Sequence, residues 1–85
     1  MQLVFDKNAL EDLKYFVEKD RRLALKIIAL IEATLKSPFE GVGKPEPLKH
    51  ALAGCWSRRI NQEHRLVYRV EGNSVVVLGC RYHYD

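Results

Sequence analysis

The sequence has little of what small proteins use as staples or anchors. Two cysteines occur in 85 residues, Cys55 and Cys80. Both sit in apolar, strand-like surroundings and neither belongs to a Cys-x-x-Cys pair, which speaks against a redox motif or disulfide framework and for buried, reduced thiols. No apolar run approaches the ~20 residues that span a bilayer. The opening MQLVFDKNAL turns acidic and polar after five residues, unlike a signal peptide. A cytoplasmic chain with no membrane segment is therefore expected. His50, His64 and His83 are far apart in basic surroundings, so no metal site and no cofactor are expected. Ser37, Ser57 and Ser74 lie in no nucleophile elbow or triad setting. Without a repeat, linker or compositional break, residues 1–85 read as one domain.

What is present is a packed composition with lopsided charge. Hydrophobic residues make up 47% of the chain, enough for a core, although at this length burial covers only about 60% of the unfolded surface. Residues 1–43 carry seven basic and seven acidic side chains. Residues 44–85 carry seven basic (Lys44, Lys49, Arg58, Arg59, Arg65, Arg69, Arg81) against four acidic (Glu46, Glu63, Glu71, Asp85). The whole net charge of +3 thus lies in the second half, as expected where one part is scaffold and the other meets an anion.

Residues 2–5 read as a short strand. DKNALEDLKYFVEKD reads as a helix, with Asn8 and Glu11 in capping-box spacing and Leu10, Leu13, Phe16 and Val17 on one face. Asp20 can cap a second helix to about Leu35, with Leu23, Ile27, Leu30, Ile31 and Thr34 as its buried stripe. Ser37-Pro38 stops it. The Gly- and Pro-rich run from Pro38 to Pro47 is a loop. Strand-like runs follow at Cys55–Ile60, His64–Val70 and Ser74–Tyr82, with turns at Asn61-Gln62 and Gly72-Asn73. The order predicts an α+β domain, an N-terminal strand and helical hairpin packed on an antiparallel sheet.

Alternation places Leu66, Tyr68, Val70, Val76, Leu78 and Cys80 toward the helices. Arg65, Arg69, Arg81 and His83 then share the opposite face with one of Arg58 and Arg59, and His64 reads as a strand-surface residue. Three readings of that face stay open: a solvated surface, a nucleic-acid surface, or a phosphoryl-transfer site. Arginine offers planar donors for phosphate. Tyr68, Tyr82, Tyr84 and Trp56 can stack on unpaired bases where exposed, and histidine exchanges protons near neutrality.

The run SPFEGVGKPEPLKHALAGCWSRRINQEHRLVYRV, with CRYHYD after it, resembles the YoeB-type toxins of the RelE superfamily, nearly continuously from Pro38 to Tyr84. The resemblance implies a small microbial-RNase-like (RelE-like) fold. It also implies an endoribonuclease that enters the A site of the 70S ribosome and cuts mRNA there without a metal. Its implied partners are a second copy of the chain and a YefM-like antitoxin, through which the complex binds operator DNA. By position, the implied catalytic residues are Glu46, Arg65, His83 and Tyr84. Lys49 and Arg59 match basic positions that hold RNA, and Lys44, His50, Arg58 and Arg81 join them as expected RNA or ribosome contacts. Asp85 departs from the family pattern and bears on the pH optimum. On that reading Glu46 and His83 flank the phosphate as base and acid, Arg65 meets the phosphorane charge, and Tyr84 orients the scissile group, the chain leaving extended geometry after Tyr82. The alternatives are a non-catalytic RNA- or ribosome-binding module and a superfamily member with another target.

Overall fold

A computed structural model describes residues 1–82. His83, Tyr84 and Asp85, including both C-terminal residues expected in catalysis, lie outside the described residues. Strand β1 (Gln2–Phe5) leads into helices α1 (Lys7–Lys19) and α2 (Arg21–Lys36). A two-residue strand β2 (Glu46–Pro47), a 3₁₀ turn (His50–Leu52), β3 (Trp56–Arg59), β4 (Arg65–Glu71) and β5 (Ser74–Gly79) follow. The five strands form one sheet in the order β1-β5-β4-β3-β2.

The α+β architecture is the one the sequence predicts, with one difference in the sheet. β2 through β5 are antiparallel to their neighbours, but β1 runs parallel to β5, pairing Gln2 with Ser74 and Phe5 with Val77. The sheet is therefore mixed. A parallel pair needs a long crossover, and here everything from the helical hairpin to β4 provides it.

Helix starts and stops follow local chemistry. The α1 cap is Asp6, not Asn8: its carboxylate accepts from Asn8 N at 3.1 Å, and its own N–H donates to Val77 O at 2.9 Å. The cap is thus built where β1 leaves the sheet. Asp20 caps α2 through Leu23 N at 3.2 Å, and the helix ends at Lys36 with Ser37 as C-cap. The α2 stripe is Ala24, Ile27, Leu30, Ile31 and Thr34, close to expectation. In α1 the buried residues are Ala9 and Phe16, whereas Leu10 and Val17 are 58% and 53% exposed. Size misleads there, because a small alanine lets the helix approach the sheet and the larger side chains are turned outward.

The core joins these residues to Ile60, Leu66, Tyr68, Val75, Val77 and Cys80. On β5 the helix-facing residues are Val75 and Val77 rather than Val76 and Leu78. Val70 stands opposite Val75 and Tyr68 opposite Val77, but Val67 stands opposite Gly79, so the register slips by one at Leu78. That bulge returns Cys80 to the helix side, fully buried. β5 then ends at Gly79, short of the Tyr82 expected from the pattern.

Candidate functional site

The non-helix face of the sheet brings together Glu46 of β2, Ser57 of β3 and Arg65 of β4. Register does this: Glu46 is opposite Ser57, and Arg59 is opposite Arg65. Arg65 Nη1 donates to Glu46 Oε1 at 3.0 Å and to Ser57 Oγ at 3.3 Å. The arginine side chain is 16% exposed and the glutamate 56%. Arg65 is thus held in place from behind by a fully buried serine, and from the solvent side by a largely exposed carboxylate. So open an ion pair adds only about 0–1 kcal/mol, and an incoming phosphate can displace it at small cost.

Backbone strain collects around this face. Among the described residues, three besides glycine adopt left-handed φ: Lys44 at 51°, His50 at 59° and Tyr82 at 66°. Such residues persist only where their surroundings enforce the conformation, and they cluster at functional sites. Lys44 lies two residues before Glu46, and His50 opens the turn after it. Lys44, Glu46, Lys49, His50 and Arg59 are all exposed. The loop bearing Lys49 and His50 is closed by Leu48 N donating to Cys55 O at 2.9 Å. Tyr82 reaches the site through its backbone, its carbonyl accepting from Arg65 N at 3.1 Å. His83 is the next residue in the sequence.

Two expected contact residues are differently employed. Arg58 points to the helix side and is fully buried. Its guanidinium donates to Val42 O (2.8 Å), Glu40 O (2.9 Å) and Ser37 O, and its Nε to Tyr68 Oη (3.3 Å). Tyr68 in turn donates to Pro38 O. Burial pushes the Tyr68 phenol above its usual range, and the bond and charge from Arg58 only partly offset this. The pair staples the Pro-rich loop to the sheet, so Arg58 is a loop organiser and not an RNA contact. Arg81 also leaves the expected face, because β5 has already ended. Its guanidinium lies 3.5 Å from the Tyr15 ring centroid and 4.8 Å from that of Tyr82, a cation–π arrangement against α1.

Sequence reasoning missed Ser57 and His64. The WSRR alternation carried the signal for Ser57, since any residue sharing a face with Arg59 stands behind the site. His64 is not a strand-surface residue: it is 7% exposed and its ring packs edge-on against Phe16 at 4.9 Å. It shares the parity of Leu66 and Tyr68, and that shared parity was the signal for an inward side chain.

This fold, two helices against a five-stranded mixed sheet, is shared by a class of small bacterial toxins. Residues 5–84 match the model of the YoeB-like toxins of bacterial type II toxin-antitoxin systems. The chain is 52% identical over 84 residues to Toxin YoeB of Escherichia coli K12, covering 99% of this chain and all of that one. Among solved structures it is similar to the YoeB/ParE toxin from Agrobacterium tumefaciens, at 46% identity and a TM-score of 0.95 over 99% of this chain and 100% of that one. The YoeB dimer from Staphylococcus aureus (45%, TM-score 0.90) and the heterotetrameric YoeB-YefM complex from the same organism (45%, TM-score 0.88) each match over 99% of this chain and 98% of theirs. The chain belongs to the YoeB-like toxin family, and it is a toxin of a toxin-antitoxin system.

Proposed function

We propose that the protein is a ribosome-dependent endoribonuclease that cleaves mRNA in the A site of the 70S ribosome and so stops translation. The observation that supports this best is Arg65 braced between Glu46 and Ser57 on the sheet face. Cleavage through the 2′-OH needs a base, an acid for the departing 5′-oxygen, and fixed positive charge at the phosphorane. When phosphate takes Arg65 from Glu46, one exchange frees a carboxylate to act as base and pairs the guanidinium with the reacting group. His83 is the acid, Tyr84 orients the scissile group, and Lys44, Lys49, His50 and Arg59 hold the RNA backbone. A carboxylate is a weak base at neutral pH, so a substrate bent into shape by the ribosome supplies much of the acceleration. Free RNA is then a poor substrate.

The relatives support two of the remaining partners, a second copy and an antitoxin. The Staphylococcus aureus structures contain a YoeB dimer and a YoeB-YefM complex. By extension this chain forms a homodimer and is held inactive by a YefM-like antitoxin, through which the complex binds operator DNA. Its working compartment is the cytoplasm, where ribosomes are. Exposed Leu10 and Val17 on α1, and Leu25 and Ile28 on α2, offer apolar surface for such partners.

The deciding measurement compares a defined mRNA on programmed 70S ribosomes, the same mRNA free, and a His83→Gln variant. Cleavage at the A-site codon to a 2′,3′-cyclic phosphate, with ribosomes and with His83 only, is the expected outcome. His83→Gln is expected to keep ribosome affinity while losing turnover. Ribosome binding with no cut by the unaltered protein would leave a binding module instead, and the roles of Glu46 and His83 would go with the enzyme.

A further inference from the structure

The backbone of Tyr82, the residue before His83, is held on both sides by two consecutive residues where the chain enters β4. Tyr82 N–H donates to His64 Nδ1 at 2.7 Å, while Tyr82 O accepts from Arg65 N at 3.1 Å. Between those bonds Tyr82 holds a left-handed φ of 66°, which a tyrosine does not keep unaided. His64 is itself rigidly mounted. Its N–H donates to Asn61 Oδ1 at 2.7 Å, its carbonyl accepts from Ile60 N at 3.0 Å, and its ring lies against Phe16.

An amide N–H can only donate, so Nδ1 must be bare. The proton of the neutral ring is then on Nε2, which faces Glu63 Oε1 at 3.4 Å. An imidazolium carries a proton on both nitrogens and would present N–H to N–H. We propose that His64 is a positioning residue whose neutral imidazole latches the Tyr82 backbone to β4, and that protonating His64 releases the segment leading to His83. The latch needs nothing from the functional reading; its effect on cleavage rests on that reading.

The sign follows directly. The latched form requires the neutral ring, so it is favoured at the alkaline end of a titration and is lost as the ring takes up its proton. The charged groups facing the recess come from every element around it: Lys19 at the end of α1, Asp20 at the α2 cap, Glu63 beside His64, and Arg81, with the phenols of Tyr15 and Tyr82. Two carboxylates and two cations therefore line the recess that the ring borders.

The test uses the full chain, ¹⁵N-labelled, in unaltered form and as His64→Phe and His64→Asn. The His64 ring nitrogens report the tautomer, and Tyr82 amide exchange reports the latch. With Nδ1 bare at the alkaline end, Tyr82 protection should fall by about tenfold or more as His64 takes up its proton. His64→Phe should leave Tyr82 unprotected at every pH while Leu66, Tyr68 and Val77 keep their protection. His64→Asn, which puts an amide oxygen near the Nδ1 position, should keep Tyr82 protected down to the acid end. A proton found on Nδ1 at the alkaline end, undiminished Tyr82 protection in His64→Phe, or a pH response of His64→Asn like the unaltered chain's would each overturn the latch. Should His64→Phe lose its core protection as well, the tautomer and the Asn variant still decide. On programmed ribosomes, His64→Phe should lose turnover on the order of 10²-fold with ribosome affinity unchanged, and the Asn variant should restore it. Full turnover in His64→Phe would overturn the positioning role. Absence of cleavage by the unaltered protein would instead remove the functional reading and leave the exchange results to stand alone.

Discussion

Arg58 and Arg65 stand on adjacent strands, on opposite faces of the sheet, and do opposite things. Arg58 is sealed on the helix side with three carbonyls and a phenol around it; Arg65 lies half-open on the other side with Glu46 and Ser57. Charge counting gives both the same anion-binding role. Burial separates them, since an arginine without exposure cannot meet a large ligand. Arg58→Met should therefore cost on the order of 3 kcal/mol, because it strands acceptors that now have a charged donor. Arg65→Met should stay within about 1 kcal/mol, since the partner Glu46 is largely exposed and methionine keeps the packing of the aliphatic stem. Urea unfolding of the two variants side by side checks both. Cys80 gives a second prediction at this scale. Burial, with Asp12 adding to it, pushes its thiol up to about 12. A folded-state value above the unfolded one contributes stability that is complete below the unfolded value and is lost as pH rises toward the folded one. Stability should thus decline as pH climbs from about 9 toward about 12, and less so in Cys80→Ala when each variant is measured against its own neutral-pH value. Below that window the native thiol should resist alkylation until the chain is unfolded.

At the scale of elements, the parts set by local chemistry were readable and the parts set by pairing were not. Asp20 as a cap, Ser37-Pro38 as a stop and the α2 stripe were all plain in the chain. The facing of β5 was not, because period-two alternation gives two faces without saying which pairs with which, and a single extra residue at Leu78 reverses the answer partway along. In α1 the error was one of weighting: the buried face is marked by Ala9, which hydrophobicity ranks below Leu10. The Pro-rich loop shows the same limit, since its glycines announce a turn without saying what it packs on. At Gly43, φ is 83°, and an added Cβ would lie 3.0 Å from Leu30 Cδ2 and 3.1 Å from Arg58 Cβ. Gly43→Ala should therefore cost about 2 kcal/mol, read as a lowered urea midpoint. Since Gly43 O accepts from Arg59 N at 2.6 Å, the same change should disturb the strand that carries Ser57.

For the molecule as a whole, the candidate site was legible as residue types and only partly as a place. Glu46 and Arg65 do meet. Arg58 and Arg81 do not join them, because one strand turns its arginine inward and the other ends before its own. A core this thin gains from any partner that binds the folded state. The proposed homodimer should show a thermal midpoint that rises with protein concentration; a constant midpoint across a hundredfold range, on the order of 3 kcal/mol of mass action, would count against a dimer at those concentrations. The position of β1 carries one more consequence. It is the first strand made, yet it pairs with β5, Gln2 against Ser74, and α1 is tied to the segment following β5 through Cys80 N donating to Asp12 at 3.0 Å. During synthesis both helices therefore emerge long before the surface they pack on, and closing so long a loop is slow. Assembly is deferred until Ser74–Gly79 has cleared the exit tunnel. The machine that translates this toxin thus meets it as an unfinished thread, and its antitoxin has that interval in which to be waiting.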